Sequence, residues 1–252
     1  MEYFKKEHLG YCHYRYNAWD KISLGLETYE VSSLQIKDSS FLNELERYLI
    51  SEKHADLILA QSCASDFELR SQLTMNNYLP VCAVYTLICS TQKIKKSTSQ
   101  IKDTFVAEIN DKNEVLDIFS NSFTFSRFHE DPYVSQELAK KRYFLWGEQL
   151  LRERKILVTK SNSGAITSLL STTPQGTNID LTLFALNQSS KGFGYFILLP
   201  LIKNITADYK SVTAKVSIAN LKMLRLYQKI GFELQKCEFY FHKHLHKKKR
   251  PK

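Results

Sequence analysis

The chain has 252 residues, of which 43% are hydrophobic, and a formal net charge of +9. This length and apolar content suit one large domain or two modest ones. A chain of this kind can fold without disulfide bonds or a structural metal ion, so we exclude a small domain that depends on either. The five scattered cysteines are odd in number, and no apolar run approaches the roughly 20 residues of a membrane span, so we expect a soluble, cytoplasmic protein with reduced thiols.

The first 95 residues predict a small α/β domain. The runs YEVSSLQI and PVCAVYTLICS are typical of strands, and SSFLNELERYLISEK is typical of a helix that begins at a serine cap. The next residues, 96–103, belong to a stretch that is rich in Lys and Ser and poor in large apolar side chains. They predict a linker.

Residues 104–245 predict a second, larger domain. After the strand TFVAEI, a helix opens at Asn110 or Asp111, and the irregular segment SRFHEDP leads into a long helix over YVSQELAKKRYFLWGEQLLRER. A meander of three strands follows, namely KILVTK, AITSLLST and IDLTLFAL. The chain then predicts a helix from Gly194 to Asp208, the strand SVTAKVSI, a helix from Leu221 to Lys229, and one or two closing strands in FELQKCEFYFHKHL.

Residues 246–252 form a basic tail beyond the last predicted strand, with Lys247, Lys248, Lys249 and Arg250 in a row. A run of this kind is usually solvated, so we expect it to be inert or solubilising. Contact with an anionic membrane surface or with nucleic acid is the alternative.

The segment LTLFALNQSSKGFGYFILLPLI runs from an apolar strand through a glycine-bearing turn into an apolar helix. Gly192 and Gly194 lie where backbone N–H groups can approach phosphate oxygens, and Lys191 adds a positive charge. Glycine at a strand-to-helix turn more often serves only the turn, so the pair alone is weak evidence for a phosphate site.

The segment VSIANLKMLRLYQKIGFELQ places Asn220 seven residues before Tyr227 on a predicted helix. Asn is a favoured N-cap, and a tyrosine at this position can simply face the core. Periodicity alone favours this structural interpretation.

The element order of residues 104–245, together with these two segments, resembles the GNAT superfamily of acyl-CoA N-acyltransferases. FSRFHEDPYV and YFLWGEQLL resemble the bacterial dTDP-fucosamine acetyltransferase group in particular, and NAWDKISLGLETYEV resembles the start of that group's smaller N-terminal domain. The resemblance implies an α/β fold with a mixed, mostly antiparallel central sheet flanked by helices. A weak sequence similarity between residues 69–87 and 224–242 suggests that the N-terminal domain is a degenerate partial copy of the larger domain.

The resemblance also implies acetyl-CoA as co-substrate and a set of residues that bind it. The strand before the turn would diverge from its neighbour and offer its backbone to the pantetheine arm, and the turn would bind the diphosphate. Asn220 would contact the CoA arm, and Tyr227 would protonate the departing thiolate. Ser189 stands where the superfamily usually has Arg or Gln. The residues implied in cofactor binding are Phe184, Ala185, Leu186, Ser189, Ser190, Lys191, Gly192, Phe193, Gly194, Tyr195, Asn220 and Tyr227.

The implied reaction is direct attack of a neutral amine on the thioester, without an acyl-enzyme. Strict alternation along IDLTLFAL puts Ile179, Leu181 and Leu183 on one face, and Asp180, Thr182 and Phe184 on the other. Asp180 is therefore the first candidate for the base that accepts the amine proton, although an Asp at a strand end is more often a solvated edge residue. Glu130, Asp131 and His129 are the alternatives.

The loop SRFHEDPY and the helix after it provide candidates for binding the acceptor. Arg127 suits a nucleotide phosphate, Phe128 and Tyr133 suit stacking on a base or sugar, and His129 and Trp146 would line the same pocket. The structural alternative makes Phe128 and Trp146 core aromatics and pairs Arg127 with an acid.

No metal site is expected. His242, His244 and His246 alternate as strand residues do, but Lys243 and the basic run provide no accompanying carboxylate or cysteine, which argues against structural zinc.

The resulting hypothesis is an N-acetyltransferase that acts on a nucleotide-linked, dTDP-type amino sugar for bacterial surface polysaccharide. Another amine, such as a protein N-terminus or a polyamine, is the first alternative. A nucleic-acid-binding module is the second, and we disfavour it because most aromatic residues lie within apolar strands and helices. Oligomeric state, including a homodimer, stays open.

Overall fold

A computed structural model describes residues 1–95 and 103–246, which group into two compact units. The first unit contains residues 1–84, 126–142 and the described part of 237–252, and the second contains 85–125 and 143–236. The units therefore interleave along the chain. The predicted linker and basic tail lie almost wholly outside the described residues, so the domain bounds 1–95 and 104–245 stay a prediction.

The helices and strands follow the sequence pattern closely. In chain order they are β1 (Glu2–Lys6), β2 (Gly10–Tyr16), α1 (Ala18–Leu24), β3 (Thr28–Ile36), α2 (Ser40–Lys53), β4 (Leu57–Cys63), α3 (Phe67–Met75), β5 (Leu79–Ser90), α4 (Thr91–Lys95), β6 (Phe105–Val106), α5 (Lys112–Ser122), α6 (Gln136–Arg152), β7 (Ile156–Lys160), β8 (Ile166–Gln175), β9 (Asn178–Leu186), α7 (Gly194–Ile205), β10 (Ser211–Ser217), α8 (Leu221–Ile230) and β11 (Glu233–His244).

The first unit is a mixed sheet with the strand order β1-β2-β3-β4-β11, in which β3 and β4 are parallel and the other pairs are antiparallel. Helix α2 connects the parallel pair. It buries Phe41, Leu42, Leu45 and Leu49, the residues that a 3-4 apolar spacing puts on one side. They pack against Ile58 and other apolar residues of the sheet.

The second unit has the strand order β10-β9-β8-β7-β6, again with one parallel pair, β9 and β10, and three antiparallel pairs. Helix α7 connects the parallel pair. Because nearly all of its side chains are apolar, it can be buried from Ile197 to Ile202. Both units thus contribute to an α/β fold with a mixed, mostly antiparallel sheet flanked by helices, as predicted.

The two halves of the chain repeat one order of elements. The order β3-α2-β4-α3-β5 corresponds to β9-α7-β10-α8-β11, and each series contains one parallel strand pair joined by a helix. The two similar segments, residues 69–87 and 224–242, lie on α3–β5 and α8–β11, which are equivalent positions in this order.

Several predicted elements have different bounds. The strand TFVAEI is only Phe105–Val106, because a short 3-10 turn with a capping box between Glu108 and Asp111 follows it at once. Helix α7 ends at Ile205, three residues before the predicted end. The closing element is one strand of 12 residues.

The predicted alternation along β9 is wrong beyond Leu181. Ser171 of β8 faces Leu183, but its neighbour Thr172 faces Leu181, so Thr182 is an extra, bulged residue. A one-residue bulge moves every later side chain to the other face. Phe184 consequently packs in the same cluster as Leu181, whereas Leu183 packs with Ala185 in the opposite cluster.

None of the helices in the described part of the chain combines the length and the apolar character needed to cross a bilayer.

Candidate functional site

Strands β9 and β10 separate halfway along their length. Their parallel pairing runs from Asn178–Ser211 to Leu181–Ala214 and stops there, although β9 continues to Leu186 and β10 to Ser217. The bulge at Thr182 lies at the point of separation. On its other side, β9 stays paired with β8 up to Leu186. Residues 182–186 therefore have one edge without a strand partner among the described residues, which is an opening that an extended ligand can occupy.

The turn after β9 is held in place by Asn187. Its Oδ1 accepts a hydrogen bond from the Ser189 N–H at 3.2 Å, and its Nδ2 donates to the Ile166 carbonyl at 3.0 Å. Asn187 was not among the residues predicted from the sequence, although Asn before a turn often closes it in this way. Because this bond and bonds to turn carbonyls already use the N–H groups of Ser189, Ser190, Lys191 and Phe193, these four are not available to a ligand.

The unused donors of this segment belong to Gly192, Gly194, Tyr195 and Phe196. In the described structure their N–H groups donate to no backbone carbonyl, and the first bond within α7 runs from Ile197 to Phe193. The first N–H groups of a helix lack internal partners and carry partial positive charge, so they attract anions. The donors at the start of α7 are therefore suited to an anion, and we call them the candidate anion-binding surface.

The two glycines have different structural roles. Gly192 has φ of +96°, a backbone conformation that L side chains rarely adopt, and open space lies where its Cβ would be. A Cβ on Gly194 would instead lie 3.1 Å from Leu226 of α8, so this glycine allows α7 and α8 to approach closely.

Lys229 of α8 adds positive charge near the candidate anion-binding surface. Its ammonium nitrogen lies 4.6 Å from the centroid of the Tyr195 ring, in cation–π contact at the first turn of α7. Lys229 was not predicted from the sequence, because the residues around it do not distinguish it from any other exposed lysine on a helix.

An open cleft of about 1160 Å³ borders the same turn. Ser189, Ser190 and Phe193 line one side of it, and residues 160–164 of the turn between β7 and β8 line another. Phe193 and Phe196 are more than half exposed, so aromatic surface is available beside the polar turn.

Asn220 caps helix α8, as the structural interpretation predicted. Its Oδ1 accepts a hydrogen bond from the Met223 N–H at 3.2 Å. Nδ2 makes no hydrogen bond with another described residue. The cap thus uses the Oδ1 atom of Asn220, and its Nδ2 donor is available to a ligand.

Tyr227 is 3% exposed and packs in one cluster with Phe184 of β9 and Val216 of β10, the two strands that separate. Burial, with a smaller contribution from the Asp180 carboxylate, raises the pKa of Tyr227 well above its ordinary value. The phenol is therefore protonated at neutral pH and can act as a proton donor.

Asp180 lies one residue before the strands separate. Thr213, opposite it on β10, donates a hydrogen bond of 2.9 Å to its carboxylate. Burial raises the pKa of Asp180, although this hydrogen bond and the charge of Lys215 partly oppose the effect. A carboxylate that binds a proton more tightly than usual is suited to accept one.

Phe128 and Arg127 do not match the predicted acceptor roles. Phe128 is 1% exposed in a cluster with Leu57 and Leu59, so its ring cannot stack on a ligand in this structure. The Arg127 guanidinium lies between the Glu30 carboxylate, at 3.9 Å, and the Tyr240 ring. Both residues follow the structural alternative.

The other predicted acceptor residues fall in different units. His129 lines a cavity of about 320 Å³ in the first unit, together with Glu130, which was an alternative candidate for the base. Ser126 contacts the His129 ring nitrogen Nδ1 at 2.9 Å. Burial lowers the pKa of His129. Trp146 belongs to the second unit and packs beside Tyr143. No single unit therefore contains all five.

Asp131 is fully buried and faces two histidines. Its Oδ2 lies 2.6 Å from Nδ1 of His242 and 2.8 Å from Nε2 of His244. Although burial alone would raise it, these two contacts hold the pKa of Asp131 well below its ordinary value, which makes Asp131 an unsuitable base. The expectation that no carboxylate accompanies the histidines is wrong, because residue 131 is far from them in sequence but adjacent in the fold.

The first unit repeats the strand separation without the anion-binding turn. The pairing of β3 and β4 stops at Glu30–Leu59, well before either strand ends. At the start of α2, however, the Asp38 carboxylate accepts hydrogen bonds from the Ser40 N–H and hydroxyl. A fixed negative charge there repels a phosphate, so the second unit is the candidate for anion binding.

Comparison with known proteins supports the fold. No protein-family model matches the chain. The spore coat polysaccharide biosynthesis protein SpsD of Bacillus subtilis (strain 168) is 25% identical over 139 residues, which are 54% of this chain and 48% of that protein. The chain thus spans about half the length of the curated relative that it matches.

Solved structures resemble nearly the whole chain. A GCN5-related N-acetyltransferase from Sphaerobacter thermophilus has a TM-score of 0.63 at 11% identity, over 96% of this chain and 78% of that one. A tandem GNAT protein from the clavulanic acid biosynthesis pathway has a TM-score of 0.59 at 10% identity, over 95% and 80%. The chain therefore has a GNAT-type fold.

Proposed function

We propose that this chain is an acetyl-CoA-dependent N-acetyltransferase. One observation carries the proposal: β9 and β10 separate at Leu181–Ala214, and the chain leaving β9 presents unused N–H donors at Gly192, Gly194 and Tyr195. The first feature suits an extended amide-bearing ligand, and the second suits a diphosphate. Coenzyme A contains both parts in one molecule.

The pantetheine arm would add to the free edge of β9, with its amides bonded to the backbone of Phe184, Ala185 and Leu186. The diphosphate would lie on the N–H groups at the start of α7, with Lys191 and Lys229 supplying charge. The Asn220 Nδ2 would donate to the arm. In this arrangement most contacts are made by the main chain, so the absence of Arg or Gln at position 189 does not remove the site.

The chemistry proceeds by direct attack of an amine nitrogen on the thioester carbonyl. The C–N bond forms and the C–S bond breaks, while a backbone N–H of β9 stabilises the oxyanion. Asp180 accepts the proton of the amine, and the Tyr227 hydroxyl gives a proton to the departing thiolate. The raised pKa of Asp180 suits its role, since the carboxylate then binds a proton more tightly, and the raised pKa of Tyr227 keeps the phenol protonated at neutral pH.

For the acceptor we propose the amine of a nucleotide-linked amino sugar. The support is the resemblance of FSRFHEDPYV and YFLWGEQLL to the dTDP-fucosamine acetyltransferase group, and the similarity to a polysaccharide biosynthesis protein. Of the residues predicted to bind the acceptor, His129, Tyr133 and Trp146 remain candidates, since Phe128 and Arg127 are engaged in packing and an ion pair.

A panel of acceptors tests this proposal. The protein is incubated with acetyl-CoA and, separately, with dTDP-amino sugars, UDP-amino sugars, polyamines and peptides with free N-termini. Release of free thiol and the mass of each product are measured, with a protein-free reaction as control. We expect a product 42 mass units heavier, the net addition of one acetyl group, only with a sugar nucleotide. A polyamine or a peptide as the sole acceptor would overturn the substrate class but retain the enzyme, and no transfer to any acceptor would count against both.

A further inference from the structure

A cluster of three metal-ligand side chains lies in the first unit, whereas the residues of the proposed acetyl-CoA site belong to the second. Asp131, His242 and His244 each present one ligand atom, and the three atoms lie within 4.8 Å of one another. Asp131 and His242 are 1% exposed, and His244 is largely buried.

Strand β11 and the loop before α6 bring the three ligand side chains together. His242 and His244 are separated by one residue on β11, so they project from the same face of the strand, and they lie opposite Leu59 and Leu57 of β4. The segment that contains residues 126–142 supplies Asp131. Its Oδ1 accepts a hydrogen bond from the Tyr133 N–H at 2.8 Å, which orients Oδ2 toward the two imidazoles.

The surroundings hold the ligand atoms in place. The ring of Phe128 packs against His242 with a centroid distance of 5.3 Å, and Tyr133 packs against His244 at 5.0 Å. Asp131 also borders the cavity of about 320 Å³ in the first unit, which gives an ion a route from solvent and a place for an exchangeable ligand. Two imidazoles and one carboxylate, with one position left open, is a donor set that zinc prefers.

We propose that Asp131, His242 and His244 bind one divalent transition-metal ion of the zinc class. The ion would link the segment 126–142 to the end of β11. Ligand atoms of a tetrahedral zinc site lie about 3.3 Å apart when the metal–ligand bonds are about 2.0 to 2.2 Å long. The present contacts of 2.6 and 2.8 Å would therefore open by roughly 0.7 and 0.5 Å on binding, a small adjustment of side chains.

A bound cation would also suit the burial of the cluster. Asp131 is 1% exposed, and a buried carboxylate is favourable only where compensating groups lie close to it. A divalent cation between the three side chains would supply such compensation.

Cobalt and zinc titrations of the tag-free full chain, first stripped with a chelator and then dialysed, test the proposal. Co²⁺ is followed by its visible absorption, and Zn²⁺ by calorimetry and by the thermal unfolding temperature. We expect one ion per chain, a tetrahedral Co²⁺ spectrum without a thiolate-to-metal band, and a higher unfolding temperature with Zn²⁺. Absence of binding to the wild-type chain would overturn the proposal.

The controls distinguish this site from the histidines at the chain end. His244→Ala removes a proposed ligand and should weaken Co²⁺ binding by about 100-fold or more. Even the loss of a group that only orients a metal ligand weakens metal binding by about 10- to 100-fold. His246→Ala removes a histidine two residues away whose side chain is 56% exposed, and it should leave binding unchanged. Equal loss in both variants would indicate an adventitious surface site and refute the assignment. Asp131→Asn offers a second test if His244→Ala does not fold.

Discussion

The hydroxyl of Thr213 donates a hydrogen bond of 2.9 Å to the carboxylate of Asp180, the residue that it faces across β9 and β10. One residue later, at Leu181–Ala214, the pairing of the two strands ends. The contact thus lies at the closed end of the opening. It holds a partly buried carboxylate beside the point where the proposed pantetheine arm would begin.

The raised pKa of Asp180 makes stability depend on pH. The folded state binds this proton more tightly than the unfolded chain, whose carboxyl has an ordinary value of 3.8. The contribution of Asp180 to stability is therefore full below pH 3.8 and is lost as the pH rises through the raised folded value. Asp180→Asn keeps an acceptor for Thr213 but carries no charge.

We consequently expect the unfolding temperature of Asp180→Asn, relative to wild type, to increase as the pH is raised from about 4 through the raised folded pKa, and then to level off. Thermal unfolding of both proteins in a series of buffers measures this difference. A difference that stays constant with pH, or that falls, would show that the folded protein does not raise the pKa of Asp180.

Tyr227→Phe should reduce turnover by roughly 10²- to 10⁴-fold, because it removes the proposed proton donor and only one oxygen. Binding of acetyl-CoA should persist, since the ring still packs against Phe232. Tyr209→Phe removes a hydroxyl from a partly buried tyrosine of the same cluster and is the control. Equal activity of Tyr227→Phe and wild type would remove Tyr227 from the mechanism.

Gly192→Ala should weaken acetyl-CoA binding as well as stability. Alanine at φ of +96° costs about 1 to 2 kcal/mol, and its methyl group would occupy the space that the diphosphate needs. Gly176→Ala, at φ of +62° and also with open space around it, introduces similar strain in the turn between β8 and β9.

Both glycine variants should lose comparable stability, but only Gly192→Ala should raise the Michaelis constant for acetyl-CoA, by about tenfold or more, which corresponds to about 1.4 kcal/mol. Initial-rate kinetics and thermal unfolding on the same samples separate the two effects. A normal Michaelis constant in a destabilised Gly192→Ala protein would leave the glycine with a purely conformational role.

Asn220→Asp separates capping from ligand binding. Asp caps a helix as well as Asn does and favours the positive end of the helix dipole, so the unfolding temperature should be unchanged or slightly higher. The change removes the Nδ2 donor and places a negative charge near the proposed ligand, so the Michaelis constant for acetyl-CoA should rise. Asn220→Ser, which keeps a cap without an amide, is the control. If kinetics with Asn220→Asp match wild type, the side chain serves only as a cap.

The sequence predicted most of the architecture because hydrophobic period and caps are local signals. Helix α2 shows this, since the 3-4 spacing of Leu42, Leu45 and Leu49 alone defines its buried face. Strand β9 shows the limit. The bulge at Thr182 depends on how β8 pairs with it, and no feature of IDLTLFAL indicates where strict alternation ends.

The candidate site was predictable where one segment contributes several residues. The strand, turn and helix from Leu183 to Tyr195 form one continuous stretch, so the resemblance identified it as a unit. Contacts between distant segments were not predictable. Asp131 and His242 are 111 residues apart, yet their side chains are 2.6 Å apart, and Phe128 in the same loop is a core residue although its neighbours in sequence are polar.

Calorimetric titration of the full chain with coenzyme A tests the central claim most directly. We predict binding of one molecule per chain, because the start of α7 presents unused N–H donors whereas Asp38 already occupies the start of α2. Gly192→Ala should weaken that binding, and Gly176→Ala should not. Absence of measurable binding to the folded wild-type chain would contradict the assignment of acyl-CoA chemistry to the opening between β9 and β10.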